Sequence, residues 1–210
     1  MMPLDYDELN QLVGFKKSMP FDQYFDEMVI DNKQNRQRKD LAEDLEEEFW
    51  DLLAWVFYTR QVRPVGRDEI RDRVSKLFHE TLPDDILALD RTDDMIDNLS
   101  EEIARTTDER KEDPFYVSAD RARLLAEDNS NNFWNYSDNE AALMRGKKYK
   151  VWNTILDGKE RKTHRDADGQ EQPIEEPFEV GGYAMMYPKD DSYGAPPEEI
   201  INCRCSVTYF

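Results

Sequence analysis

Apolar residues recur at three- and four-residue spacings through the first two thirds of the chain and lose that period near Gly146. Phe21, Tyr24, Phe25, Met28 and Val29 make one such stripe, with Asp22 and Glu27 on its wet side. A polar and basic stretch, DNKQNRQRKD, interrupts it before LAEDLEEEFWDLLAWVFY resumes it. The spacing predicts either one long exposed helix from Phe21 to about Arg60 or two helices with a kink. Arg63, Pro64 and Gly66 break the pattern, and a shorter helix is expected from about Arg67 to Glu80 on Ile70, Val74, Leu77 and Phe78. Pro83 opens a helical stretch, residues 84–112, whose apolar set (Ile86, Leu87, Leu89, Met95, Ile96, Leu99, Ile103) is outnumbered by acids. Ser100 could cap a helix start there, but Ile103 stands where a capping box needs Glu or Gln. The chain turns at Pro114, and Ser118 is the expected N-cap of a helix running to Gly146, with breaks near Asn129 to Asn132.

Beyond Gly146, β-branched and aromatic residues come in short groups divided by Gly and Pro: KVWNTILDG, EVGGYAMMYPKDD, YGAPPEE, INCRCSVTYF. Short strands and turns are expected there. The fold class is therefore α+β, a mainly helical N-terminal region followed by a small β-containing C-terminal module. The boundary is drawn at residue 117: 1–117 acidic, helical and partner-binding, then 118–210 as one module of a helix (118–146) and short strands (147–210).

Composition narrows the function. The 210 residues carry a formal net charge of −19 with 36% charged residues, so most of the surface repels a freely exposed duplex. The 11% aromatic content is too high for a disordered acidic chain, because those rings need burial. MMPLDYDELNQLV is acidic where a signal peptide would be basic, and the most apolar run, Phe49 to Tyr58, contains Asp51 and is about half of a bilayer crossing. A soluble protein made in a cytosol, with no membrane partner, is expected. In that compartment Cys203 and Cys205 stay reduced, and a disulfide between residues so close would be strained.

Charge reverses locally. Arg145, Lys147, Lys148, Lys150, Lys159, Arg161, Lys162 and Arg165 face only two acids, Asp157 and Glu160, in the same stretch. A solvated hairpin with ordinary surface lysines accounts for such a run. The functional alternative is a docking strip (Arg145, Lys147, Lys148, Lys150, Lys159, Lys162, Arg165) for an acidic partner surface, or for nucleic acid held nearby by another protein.

The order Trp152, Asp157, Arg161, His164, Asp168-Gly169, then Phe178, YPKD and Asn202-Cys203-Arg204-Cys205 resembles the signature of the phage Mu protein F-like family, the minor head or head morphogenesis proteins of tailed phages and prophages. Upstream, Arg121, Ala122 and Glu127 fall where the helix preceding that signature has its recurring residues. The resemblance covers roughly residues 118–210. It implies a minor structural protein of the head, joined to head assembly and to DNA packaging or delivery, with the portal protein and a major capsid or scaffolding protein as partners. Contact with packaged DNA would be indirect, and the place would be the virion head after synthesis in the host cytoplasm. Relatives are sometimes fused to toxin domains, and no extra domain is expected within this length.

Many relatives have Cys-x-x-Cys where this chain has Arg161-Lys-Thr-His164, and a His where it has Ile200. A full set of that kind suits zinc. Here His164, Cys203 and Cys205 are the remaining ligand candidates, with Asp157 or water as a fourth. The preferred reading uses no cofactor: with residues 201–207 as a strand, Cys203, Cys205 and Val207 share the inner face, and Asn202 and Arg204 the outer one. Asp157, Arg161, His164, Asp168 and Arg204 would then fasten the last strand to the WNTILDG hairpin, and Asp168-Gly169 would make a tight turn. His79, beside an apolar stripe, is a packing or surface residue. No G-x-S-x-G or phosphate-cradling loop is present, so no enzymatic activity is expected. A zinc-dependent nuclease-like enzyme or phage-borne effector, and a transient scaffolding or anti-host interaction protein, stand as alternatives.

Overall fold

A computed structural model describes residues 24–210, so the expectations placed on Phe21, Asp22 and the first thirteen residues lie outside the described residues. Among the described residues the chain divides into two compact units, one holding 41–127 and the other 24–40 together with 128–210. The α+β class is observed: helices fill the N-terminal part, and short antiparallel strands follow. The division does not coincide with the boundary drawn at residue 117. Two long helices, α1 (Asn32–Arg60) and α5 (Ala119–Met144), each contribute to both units.

The first unit is helical. It takes α1 from Leu41 onward, α2 (Arg67–Thr81), α3 (Asp84–Leu87), α4 (Thr92–Glu109), a 3-10 turn (Pro114–Val117) and the start of α5. The predicted stripe of α2, Ile70, Val74, Leu77 and Phe78, is the face that is buried. Phe78 meets Phe49 of α1 edge to face at 5.6 Å, a geometry worth about 1 kcal/mol beyond the area removed from water. Ser100 does not start a helix. It lies buried inside α4, which begins at Thr92, and the Thr92 hydroxyl donates to the carbonyl of Ile86 at 2.6 Å. Ser118 accepts the Arg121 N–H at 3.1 Å, the expected cap of α5.

In the second unit Tyr24 and Phe25 are helical, residues 26–30 form a turn and bends, and α1 starts only at Asn32. The basic stretch is thus the first turns of one continuous helix. Its start is fixed by a capping box: the Asp31 carboxylate accepts the Gln34 N–H at 2.8 Å, and the Gln34 side chain accepts the Asp31 N–H at 3.1 Å.

Helix α5 is unbroken across Asn129 to Asn132, against expectation. Asn and Ser interrupt helices when their side chains bond to the local backbone. Here distant groups occupy those side chains: Ser130 donates to the Arg38 carbonyl at 2.6 Å, and Asn131 takes the Arg38 Nε at 3.2 Å while donating to the Cys203 carbonyl at 3.0 Å.

The strands are β1 (Tyr149–Asn153), β2 (Glu171–Pro173), β3 (Phe178–Val180), β4 (Tyr183–Met185) and β5 (Ser206–Tyr209), with two short helices, α6 (Lys162–Ala167) and α7 (Pro197–Ile200), between them. A three-stranded antiparallel sheet runs β2-β1-β5, with Trp152 opposite Val207, and β3 and β4 form a separate hairpin. The hairpin turns on Gly181 and Gly182, both at positive φ (62° and 85°), which a two-residue turn matching the strand twist requires. Trp152, Ala167, Phe178, Val180, Met185, Ala195, Cys203, Cys205 and Val207 make one core. Residues 201–205 are not a strand as expected, since β5 begins at Ser206 and Asn202 is left-handed at φ 57°. The alternation survives nonetheless: Cys203, Cys205 and Val207 are buried, Asn202 is exposed and Arg204 half-buried.

Candidate functional site

Three elements of the second unit bring chemistry to one place. Helix α6 carries His164, the loop into β5 carries Cys203 and Cys205, and α7 carries Glu199. Trp152 of β1 forms the floor, its ring edge-on to His164 at 5.9 Å and to Phe178 at 5.4 Å. Beyond the end of β1, Thr154 ties the pieces together. Its hydroxyl donates to the His164 carbonyl at 2.9 Å, accepts the Trp152 indole N–H at 3.1 Å and meets the Cys205 sulfur at 3.5 Å.

His164 Nδ1 lies 3.3 Å from the Cys205 sulfur and 3.5 Å from that of Cys203, and Nε2 lies 3.1 Å from Glu199 Oε2. The three residues are at most 3% exposed and line a cleft of about 280 Å³. Burial acts to lower the His164 pKa, but the hydrogen bond and charge of Cys203 outweigh it and the net shift is upward. Burial pushes the Cys203 thiol up, yet hydrogen bonds from Cys205 and His164 hold it well below the ordinary thiol range. Cys205 moves the other way, raised first by its hydrogen bond with Cys203 and then by burial.

The remaining signature residues surround this center. Arg204 donates to Asp157 at 2.6 Å and to Glu27 at 3.4 Å, and its hydrogen bond holds the Asp157 carboxyl below the usual range. Asp157 also accepts the Lys159 N–H at 3.0 Å, and it is not among the donors that cluster with the thiols. Arg161 donates to the Ile201 carbonyl. Asp168 accepts the Thr154 N–H at 2.7 Å, and Gly169, at φ 73°, donates to the Trp152 carbonyl at 2.9 Å in the turn closing α6. The Asn202 N–H donates to Asp128 at 2.6 Å. Asp128 also takes the ammonium of Lys189, the buried lysine of YPKD, which is itself left-handed at φ 75°.

Trp152, His164, Cys203 and Cys205 are thus brought together, while Asp157, Arg161, Asp168, Gly169, Asn202 and Arg204 serve the loops around them. Sequence reasoning missed Thr154, Glu199 and Asp128. Glu199 carries no local signal, since it stands in a Glu-Glu pair within a chain holding 47 acids.

The basic strip is not continuous. Lys150 is fully buried, its ammonium donating to the Met186 carbonyl at 2.9 Å and lying 5.0 Å over the Phe178 ring, so it cannot dock a partner. The reason is strand alternation: Lys150 shares the inward side of β1 with Trp152. Arg165 is paired with Glu160, Lys162 with Asp166 at 2.6 Å, and Lys159 approaches Asp157 at 3.8 Å. Arg145, Lys147 and Lys148 have no ion-pair partner among the described residues. They adjoin exposed Met144 and the stacked, half-exposed rings of Tyr149 and Phe210, 5.9 Å apart. His79 is exposed on α2. Among the described residues no helix is long and apolar enough to cross a membrane.

An antiparallel sheet closed by a terminal strand, over a buried Cys, Cys, His cluster and against a long helix, defines an α+β module whose signature residues serve its own closure. The chain belongs to the phage Mu protein F-like family, whose family model matches residues 93–208. The match begins inside α4, upstream of the resemblance traced from residue 118. The NAD(+)–arginine ADP-ribosyltransferase EFV of Enterococcus faecalis (strain ATCC 700802 / V583) is 33% identical over 58 residues, which are 28% of this chain and 11% of that protein. The chain therefore spans about a tenth of that relative's length. No solved structure matches.

Proposed function

We propose that this protein is a minor structural component of a phage or prophage head that acts by binding at the portal vertex, in head assembly and in DNA packaging or delivery. The family match over residues 93–208 carries this reading. The use of the module's chemistry supports action by binding. Asp157, Asp168 and Arg161 are engaged in internal hydrogen bonds, and His164, Cys203 and Cys205 are too buried for a polymer substrate to touch. The similarity to the ADP-ribosyltransferase concerns a short segment of a much longer protein, so NAD-dependent transfer is not carried over.

The contacts to portal, capsid or scaffolding protein fall on two surfaces. One is the acidic helical region. The other is the patch of Arg145, Lys147, Lys148, Tyr149 and Phe210, where unpaired cations beside flat exposed rings suit an acidic protein surface. The net charge of −19 keeps the rest of the chain from condensing on packaged DNA. Electron microscopy of the assembled particle tests the reading: density for this chain at the portal vertex is expected in both procapsid and mature head. Its presence in the procapsid but absence from the mature head would make it a scaffold instead, and absence from both would overturn the head assignment.

A further inference from the structure

The geometry points to a binding site for a soft divalent cation of the zinc class, built from His164 Nδ1 and the sulfurs of Cys203 and Cys205, with Glu199 as the residue that positions the imidazole. The site is independent of the head assignment.

The donor atoms already stand at ligand spacing. A tetrahedral ion with metal–sulfur bonds of about 2.3 Å and metal–nitrogen bonds of about 2.0–2.1 Å puts nitrogen about 3.6 Å from each sulfur and the sulfurs about 3.8 Å apart. The observed nitrogen–sulfur distances are 3.3 and 3.5 Å, and all three donor atoms lie within 4.8 Å of one another. Two sulfurs and an imidazole select a soft or borderline ion over magnesium or calcium, which take oxygen.

Glu199 sets which imidazole nitrogen is left to bind an ion. A carboxylate only accepts, so the Nε2 that it faces at 3.1 Å carries a proton, and a cation that displaces the other proton would meet the lone pair of Nδ1. A carboxylate on the outer nitrogen of a ligating histidine is the usual way its orientation and basicity are fixed. Glu199 is itself held in place. It accepts the Thr163 hydroxyl at 2.8 Å and rests against Gly181, where a Cβ would come within 2.7 Å of Oε1. The sulfurs are supported too, since the Cys205 N–H donates to the Cys203 sulfur at 3.4 Å. Three protein donors leave one tetrahedral position for water, and the cleft that these residues line gives water a route.

The full-length protein, purified without chelator, is expected to hold one zinc per chain by elemental analysis. Replacement with cobalt(II) should give sulfur-to-cobalt charge-transfer absorption and the intense visible bands of a tetrahedral ion. Glu199→Gln keeps the shape but removes the charge. It should retain the cobalt spectrum and bind zinc roughly 10- to 100-fold more weakly in chelator competition. Cys203→Ser should lose the charge-transfer absorption. Folded wild-type protein that contains no metal and gives no cobalt–thiolate absorption would overturn the site. Unchanged zinc affinity in Glu199→Gln would overturn the positioning role even if Cys203→Ser does not fold.

Discussion

Lys150 shows how much one position can carry. Its sequence context, between Lys148 and Arg161 in a basic run, marks it as surface, yet β1 turns it inward to bond the Met186 carbonyl with Asp190 nearby. Burial pushes its pKa down to about 8, and Asp190 offsets only part of that. The folded value lies below the unfolded one, near 10.4, so between these values the unfolded chain holds a proton that the folded chain has lost. Stability should rise with pH across that window, by up to about 1.4 kcal/mol per pH unit, and the cost of burying the ammonium is fully present below pH 8. Urea unfolding measured from pH 7 to 11 checks this: Lys150→Met should flatten that part of the profile relative to wild type. Equal slopes in the two proteins would mean that the ammonium stays charged inside the fold.

At the scale of elements, helix periods proved readable, and helix ends only in part. The stripe of α2 and the Ser118 cap follow directly from spacing and residue type. The start of α1 was hidden because apolar residues before and after it keep the same period, while its real signal is the polar pair Asp31 and Gln34. Asp31→Ala removes an acceptor for the exposed N–H groups of the first turn, at a cost of about 1 kcal/mol. Equilibrium denaturation should show that loss, and Asp31→Ser, which restores a capping oxygen, should recover most of it. The strand expected at 201–207 likewise proved to be a loop followed by β5. Period-two alternation of buried and exposed residues needs only an extended chain, so it cannot by itself promise ladder hydrogen bonds.

For the whole molecule, the least legible feature was which segments share a unit. Arg38, inside the stretch that reads as a polar interruption, is buried and reaches Asn131 at 3.2 Å, Asn135 at 3.1 Å and Asp138 at 2.9 Å, about a hundred residues away. Arg38→Met should destabilize this unit by about 3 kcal/mol, because it strands Asp138 and two buried amides without their partner. Chemical denaturation of the full chain followed by the fluorescence of Trp134 and Trp152 reports on it. A loss below about 1 kcal/mol would mean that water replaces the guanidinium at little cost.

The sequence by itself determined the α+β class, the amphipathic faces, the acidic surface and the family, because these depend on periodicity, composition and the order of a short signature. Only the tertiary structure decided that Lys150 is inside, that Glu199 rather than Asp157 stands against His164, and that residues 24–40 complete the C-terminal module. Each of those depends on which distant group fills a partner's hydrogen-bonding or packing vacancy, and nothing in the local spacing of residues records that choice.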